Sequence, residues 1–210
     1  MARNLREGQA QVMEKIFIIG GMGAGKSTAR RALVDQGLEY IDLDKIGHEI
    51  HNWQVVKDDL VAAFGEDVLD AEGNVDRRVL AQRAFKTPAD TRKLNRITLP
   101  RIEDAFLTRL DELEKAGCEA VVVEHTVFKS RSMSMADMAD VIIAVVAPLD
   151  VRIARAVASG FDEKDVRRRI AQQITDAERI ERADVVFSND GSKEELYNQV
   201  VAWWNDYIGV

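Results

Sequence analysis

The sequence predicts an α/β fold, with helices covering both faces of a parallel five-stranded sheet. Three observations point there. Short apolar runs recur along the 210-residue chain, mostly without the polar alternation of a half-exposed strand. Amphipathic helical patterns separate most of these runs. The first run ends in a cluster of glycines that leads straight into a helical pattern.

In chain order, the strands are expected in "KIFIIG" (15–20), "LEYIDL" (38–43), "AVVVEH" (120–125), "VIIAVVA" (141–147) and "DVVFSN" (184–189). The stretch "KSTARRALVDQG" reads as a helix closed by Gly37 at the position after its C-cap. "TPADTRKLNRI" starts with Thr87 as N-cap and Pro88 in the first helical turn. "SKEELYNQVVAWW" opens with Ser192 and Glu195 at capping-box spacing. Between the second and third strands, about 44–117, no strand is apparent. That region reads as four helices, with one clear loop in "AFGEDVLDAEGNVDR" (63–77). Its size suits a helical subdomain that covers a substrate, inside a single domain of residues 15–210. Residues 1–14 are expected to form a polar N-terminal tail; the leader "MARNLREGQAQVMEK" carries both charge signs and lacks the apolar stretch of a secretory signal.

Bulk properties narrow the function. With 46% apolar residues the chain can build an ordinary packed core. A formal net charge of -7 disfavours a general nucleic-acid coat, which needs an excess of Lys and Arg. The longest apolar run, at 141–147, is strand-sized, so no membrane span is expected. A lone cysteine, Cys118, suits a reducing compartment, and the expected location is the cytoplasm. Nothing in the composition fixes an oligomeric state.

The chemistry begins at "IIGGMGAGKST" (18–28), where Gly20, Gly25, Lys26 and Ser27 satisfy G-x-x-x-x-G-K-[ST]. The motif follows a predicted strand and opens a predicted helix, the context a phosphate cradle needs. Backbone N–H groups of Gly21, Gly23, Ala24, Gly25, Lys26, Ser27 and Thr28 can converge on phosphate oxygens, aided by the positive end of the helix dipole. Lys26 then reaches the β- and γ-phosphates of ATP, and the Ser27 hydroxyl is a ligand for Mg²⁺. A dinucleotide fingerprint, G-x-G-x-x-G, fails here because counting from Gly21 puts Lys26 at its sixth position.

Asp42 and Asp44 end the second predicted strand. In an open parallel sheet the carboxyl ends of the strands share one edge, where ligands bind. Topology therefore brings these carboxylates near the phosphates. One of them can accept the proton of an acceptor hydroxyl as the phosphoryl group moves. The competing use, capping the next helix, stays open for both.

The segments "GGMGAGKST", "YIDLDKIGHEI", "FGEDVLDAEGNVDRRVL", "RAFKTP", "LNRITLPRI", "RRRIAQQ" and "ADVVFSNDG" resemble, in order and spacing, the dephospho-coenzyme A kinases, over residues 15 to 200. The resemblance implies a P-loop kinase-type three-layer α/β/α fold with a helical acceptor-binding insertion and a short lid near 152–168. It implies transfer of the γ-phosphate of ATP, with Mg²⁺, to the 3′-hydroxyl of dephospho-CoA. It places the catalytic aspartate at Asp44, with Lys26 beside it in catalysis. Asp42, Asp44 and Arg77 fall to acceptor binding, and Asn189 to the adenine end of ATP.

Two departures from the family pattern matter. A D-x-P-L-L run is expected after the third strand; this chain has "EHTVF", with Glu124 for the aspartate and Thr126 for the proline. Glu124 then serves the metal shell or is only a strand-end charge. Counting back from Gln173, the lid arginines should fall at 154 and 158, both alanine here, which leaves Arg152 and Arg155 as lid candidates. On a helix Arg155 is turned about 100° from position 154. Arg167, Arg168 and Arg169 are further candidates, or a solvated helix face. Two alternatives therefore stand beside the main reading: a P-loop kinase acting on another nucleoside or nucleotide-like acceptor, and a nucleotide-binding protein with weakened catalysis.

The remaining residues carry less chemistry. His48, His51 and His125 show no metal-ligand spacing; the first two lie one helical turn apart and face either the acceptor or solvent. The methionines of "SRSMSMADM" (130–138) can line a pocket for a flexible arm or pack in the core. Trp203 and Trp204 are expected against the sheet.

Overall fold

The structure, a computed structural model, describes residues 12–209, so most of the expected polar tail lies outside the described residues. Five parallel strands form one sheet: β1 (Glu14–Gly20), β2 (Glu39–Asp42), β3 (Ala120–Glu124), β4 (Val141–Val146) and β5 (Val185–Ser188), in the order β2-β3-β1-β4-β5. Each expected strand is present. The tail boundary shifts, because Glu14 already pairs with Ala120 and the Met13 side chain is buried. Met13 is apolar enough to join the core.

The chain divides into two compact units, one built from residues up to Asp42 and from Glu112 onward, the other from Leu43–Asp111. The first holds the sheet. Along β1, Ile16 and Ile18 share one face with Val122 and Ile143 and pack with α1 (Lys26–Val34) and α9 (Lys193–Ile208) through Leu33, Leu196 and Trp204. Phe17, Ile19, Val121, Val123 and Ile142 point to the other face and are also buried. Helix α8 (Asp176–Arg182) packs against β1 and β4, so these central strands are covered on both faces and need no polar alternation. Trp204 is buried in the α9 face, and Trp203 meets Phe187 edge to face at 6.2 Å.

Local signals behave as expected. Thr87 Oγ1 accepts from Asp90 N, and Ser192 with Glu195 completes a capping box. Gly37 takes φ +95°, the left-handed region that closes a helix.

The second unit is helical, as expected for 44–117: α2 (Leu43–Glu49), α3 (Gln54–Phe64), α4 (Arg77–Ala84) and most of α5 (Pro88–Lys115). The loop between α3 and α4 closes on itself, with Leu69 bridged antiparallel to Val75 and Asp70 accepting from Asn74 N at 2.8 Å. Asp76 caps α4, accepting from Arg78 N and Val79 N.

Candidate active site

The cradle forms where β1 ends at Gly20 and α1 begins at Lys26. Gly23 at φ +75° and Gly25 at φ +110° adopt a backbone that side chains disfavour. Space excludes a side chain as well. A Cβ at Gly21 would lie 1.9 Å from Arg152 Nη2, and one at Gly25 2.2 Å from Asn189 Nδ2. Ser27 is exposed in the first turn of α1, while Thr28 is buried.

Strand register builds the rim beside it. Asp42 on β2 is level with Glu124 on β3, and Glu124 is level with Ile18 on β1. Glu124 Oε1 lies 3.9 Å from Lys26 Nζ. Its other oxygen, Oε2, accepts from Tyr40 Oη at 3.1 Å or faces it, with Arg30 Nη1 at 3.8 Å. Tyr40 Oη is also 3.1 Å from Asp42 Oδ2 and accepts from Arg30 Nη1 at 2.9 Å. Burial pushes the Tyr40 hydroxyl well above the usual phenol range; Glu124 and Asp42 add to the rise against Arg30, so it stays protonated. Burial lowers the Arg30 pKa, yet its bond to Tyr40 and the charges of Glu124 and Asp42 outweigh that and raise it.

Sequence reasoning missed Tyr40 and Arg30, although the signal was present. Tyr40 and Asp42 are two apart on a strand and share a face. Lys26 and Arg30 are four apart on a helix and share a face.

The segment expected as a lid consists of α6 (Leu149–Ala158) and α7 (Glu163–Ala171). Ile153, Ala156 and Val166 are buried together, with Met22 of the cradle and Ile170 against them. Arg152 is no solvent-facing lid residue: it is only 4% exposed. Its Nε donates to the Met22 carbonyl at 3.0 Å and its Nη1 to Asp176 Oδ2 at 3.1 Å. Gln173 Oε1 accepts from Met22 N at 3.0 Å. Arg155 donates to the carbonyls of Asn189 at 2.9 Å and Gly191 at 3.0 Å, bracing the loop after β5. Ala154 and Ala158 face solvent. Arg167 and Arg168 pair with Glu163 and Asp165 on the exposed face of α7, and Arg169 lies 5.8 Å over the Phe161 ring.

Asn189, read from sequence as an adenine contact, is buried and gives Nδ2 to the Ala24 carbonyl at 2.7 Å, a bond that ties β5 to the cradle. Gln173, which the sequence reading used only as a point to count from, completes this bracing with Asp176 and Arg179, which it did not name; Arg179 Nη1 donates to Asp176 Oδ1 at 2.6 Å.

In the helical unit, Asp44 is exposed in the first turn of α2, two residues beyond Asp42, and Arg77 is exposed at the start of α4. His48 is exposed as well. Burial lowers the His51 pKa, and the nearby His48 and Arg77 lower it further. The three residues thus form a small basic group in which His51 is shifted toward its neutral form.

His125 is buried between Phe17 and Phe128, at ring distances of 6.3 and 5.9 Å, with Nδ1 lacking a protein partner. Burial pushes its pKa down to about 4. Of the methionines, Met135 is buried at φ +71°, and Met133 accepts from Lys129 N at 3.1 Å through sulfur.

The two residues read as metal ligands, Ser27 and Glu124, both offer oxygen, the donor type a hard cation such as Mg²⁺ takes when it is shared with substrate phosphates.

Known proteins settle the family. The sequence model described as dephospho-CoA kinase matches residues 15–195. The chain belongs to the dephospho-CoA kinase family. A dephospho-CoA kinase of Corynebacterium efficiens is 39% identical over 189 residues, 89% of this chain and 94% of that protein. The Corynebacterium jeikeium enzyme is 40% identical over 196 residues, 91% of this chain and 98% of that protein. A solved structure from Thermus thermophilus superposes with TM-score 0.78 at 27% identity, covering 92% of this chain and 97% of that one. The dephospho-CoA kinase of Campylobacter jejuni, 21% identical with TM-score 0.63, shares the fold over 93% of this chain and 97% of its own. A shikimate kinase of Acinetobacter baumannii, 15% identical with TM-score 0.50, carries the same kinase-type α/β architecture. No described helix of this family member is long and apolar enough to cross a membrane.

Proposed function

We propose that this kinase transfers the γ-phosphoryl group of ATP to the 3′-hydroxyl of dephospho-CoA, giving coenzyme A. Family membership carries the acceptor. The observation that carries the chemistry is the rim: a glycine-rich cradle at the end of β1, its lysine 3.9 Å from the Glu124 carboxylate, and Asp42 level with Glu124 in register.

In this reading the amides of Gly21, Gly23, Ala24, Gly25, Lys26, Ser27 and Thr28 hold the phosphates of ATP. Lys26 neutralises charge on the transferring group. Ser27 and Glu124 would hold Mg²⁺, which would supply positive charge against the charge that develops on the phosphate oxygens. Asp44 accepts the acceptor's proton late in the transfer, and Asp42 and Arg77 bind the acceptor. Asn189 serves the nucleotide by bracing the cradle. Its partners are small molecules and its place is the cytoplasm.

The test is ADP formation by the purified protein with a panel of hydroxyl acceptors. Turnover that requires dephospho-CoA and Mg²⁺ supports the reading. A preferred acceptor of another class, or nucleotide binding with no transfer to any acceptor, overturns it.

A further inference from the structure

Four charged groups and one hydroxyl meet at the rim, all within the sheet-bearing unit. Two are cations, Lys26 and Arg30; two are anions, Asp42 and Glu124; Tyr40 is neutral between them. The two carboxylates approach the same hydroxyl, each at 3.1 Å. A tyrosine hydroxyl has one proton to give. Arg30 Nη1 already donates to that oxygen at 2.9 Å, so the proton points away from Arg30, toward the carboxylates. Arg30 is fixed in turn, with its guanidinium carbon 4.5 Å from the centre of the Tyr40 ring.

The oxygens of Glu124 have different neighbours. Oε1 is on the Lys26 side, and Oε2 is on the Tyr40 and Arg30 side. A glutamate carries three side-chain torsions, and ordering them costs free energy. A lysine that turns to substrate phosphates also withdraws its hold on Oε1. The contacts at Oε2 do not depend on that lysine.

We propose that Tyr40 and Arg30 are positioning residues for Glu124, fixing Oε2 so that Oε1 keeps its orientation toward the phosphate cradle. The inference rests on the reading of Glu124 as part of the metal shell. It adds two residues that touch neither phosphate nor metal and act through the carboxylate.

The test is binding, not turnover. Association of a fluorescent N-methylanthraniloyl-ADP is followed as Mg²⁺ is titrated, giving the Mg²⁺ concentration for half-maximal tight binding. Thermal melting of each variant is recorded alongside. Glu124→Ala should raise that midpoint about tenfold or more. Tyr40→Phe, which keeps the ring under Arg30, should raise it about three- to tenfold, less than the full worth of a hydrogen bond to a carboxylate because only the orientation of Glu124 is lost. Arg30→Met should move it the same way, and serves if Tyr40→Phe folds poorly. Combined with Glu124→Ala, Tyr40→Phe should add nothing, because its effect passes through the missing carboxylate. If Glu124→Ala moves the midpoint and neither Tyr40→Phe nor Arg30→Met does, the positioning role is wrong while Glu124 keeps its own. An undiminished Tyr40→Phe effect in the Glu124→Ala background also refutes it, as does a lowered melting temperature with an unmoved midpoint. If Glu124→Ala leaves the midpoint unchanged, Glu124 is not in the metal shell and both readings fall.

Discussion

Arg152 donates from Nε to the carbonyl oxygen of Met22 at 3.0 Å, joining α6 to the middle of the phosphate cradle. Gln173 takes the N–H of the same residue at 3.0 Å, so both backbone groups of Met22 are held by side chains from the segment that follows β4. Arg152 is 4% exposed and Arg179 3%, with Asp176 between them. A cradle whose amides must already converge before phosphate arrives gains from such a brace, because the ordering is done in advance.

Arg152→Leu should therefore lower both stability and nucleotide affinity. It leaves Asp176 with one arginine and the Met22 carbonyl without its donor. Leaving a buried charge uncompensated costs about 3–5 kcal/mol, and the loss should be smaller here because Asp176 keeps Arg179 and is partly exposed. Arg152→Lys should fall between, since an ammonium keeps the charge without the planar fork. Denaturant unfolding and calorimetric titration with ATP check both. Wild-type stability in Arg152→Leu would rule out the brace.

Asn189→Ala removes the donor that reaches the Ala24 carbonyl from β5. Asn189 is buried, so water cannot readily replace it. Leaving a buried acceptor unpaired costs about 1–3 kcal/mol. The distinctive expectation is a loss of affinity shared by ATP and ADP. If Asn189 instead read the base, the variant would lose discrimination between ATP and GTP, which a competition titration measures.

The centre of the sheet was legible because β1, β3 and β4 are buried on both faces, and such strands announce themselves as apolar runs. Caps at Thr87 and Ser192 were equally plain, being local chemistry. The cradle and Glu124 could be read because a motif and a strand end carry them. Arg152 could not be placed. Its neighbours Met22 and Asp176 lie 130 and 24 residues away, and nothing local distinguishes a buried arginine from one on a lid. Asn189 was assigned to the nucleotide, and only the fold brings Ala24 within its reach. Pro100 lies inside α5, where proline removes a backbone donor from the helix. Arg101 there donates to the Ile97 carbonyl at 3.1 Å, supporting that turn with a side chain.

Asp44 separates binding from chemistry. It is exposed in the first turn of α2. Asp44→Asn should lower kcat about 10²- to 10⁴-fold, the usual worth of a positioned general base. Affinity for ATP, measured without acceptor, should stay within about twofold of wild type. Equal losses in ATP affinity and kcat would assign Asp44 to the nucleotide and leave the proton without an acceptor.

His125 gives the protein a pH dependence of its own. The ring is buried against Phe17 and Phe128, and burial pushes its pKa from 6.5 down to about 4. Between those values the unfolded chain binds a proton that the folded chain refuses. Unfolding then takes up protons, so stability falls as pH drops through that window and this group's contribution levels off below it. The full difference amounts to roughly 3 kcal/mol for a group this buried. His125→Leu, similar in bulk and unable to titrate, should flatten the slope of unfolding free energy between pH 6.5 and 4 relative to wild type, whatever its effect at pH 8. The carboxylates titrate in both proteins and cancel in the comparison. Parallel curves for the two proteins would mean that the folded state protonates His125 at its ordinary pH, with water reaching the ring that the packing here encloses.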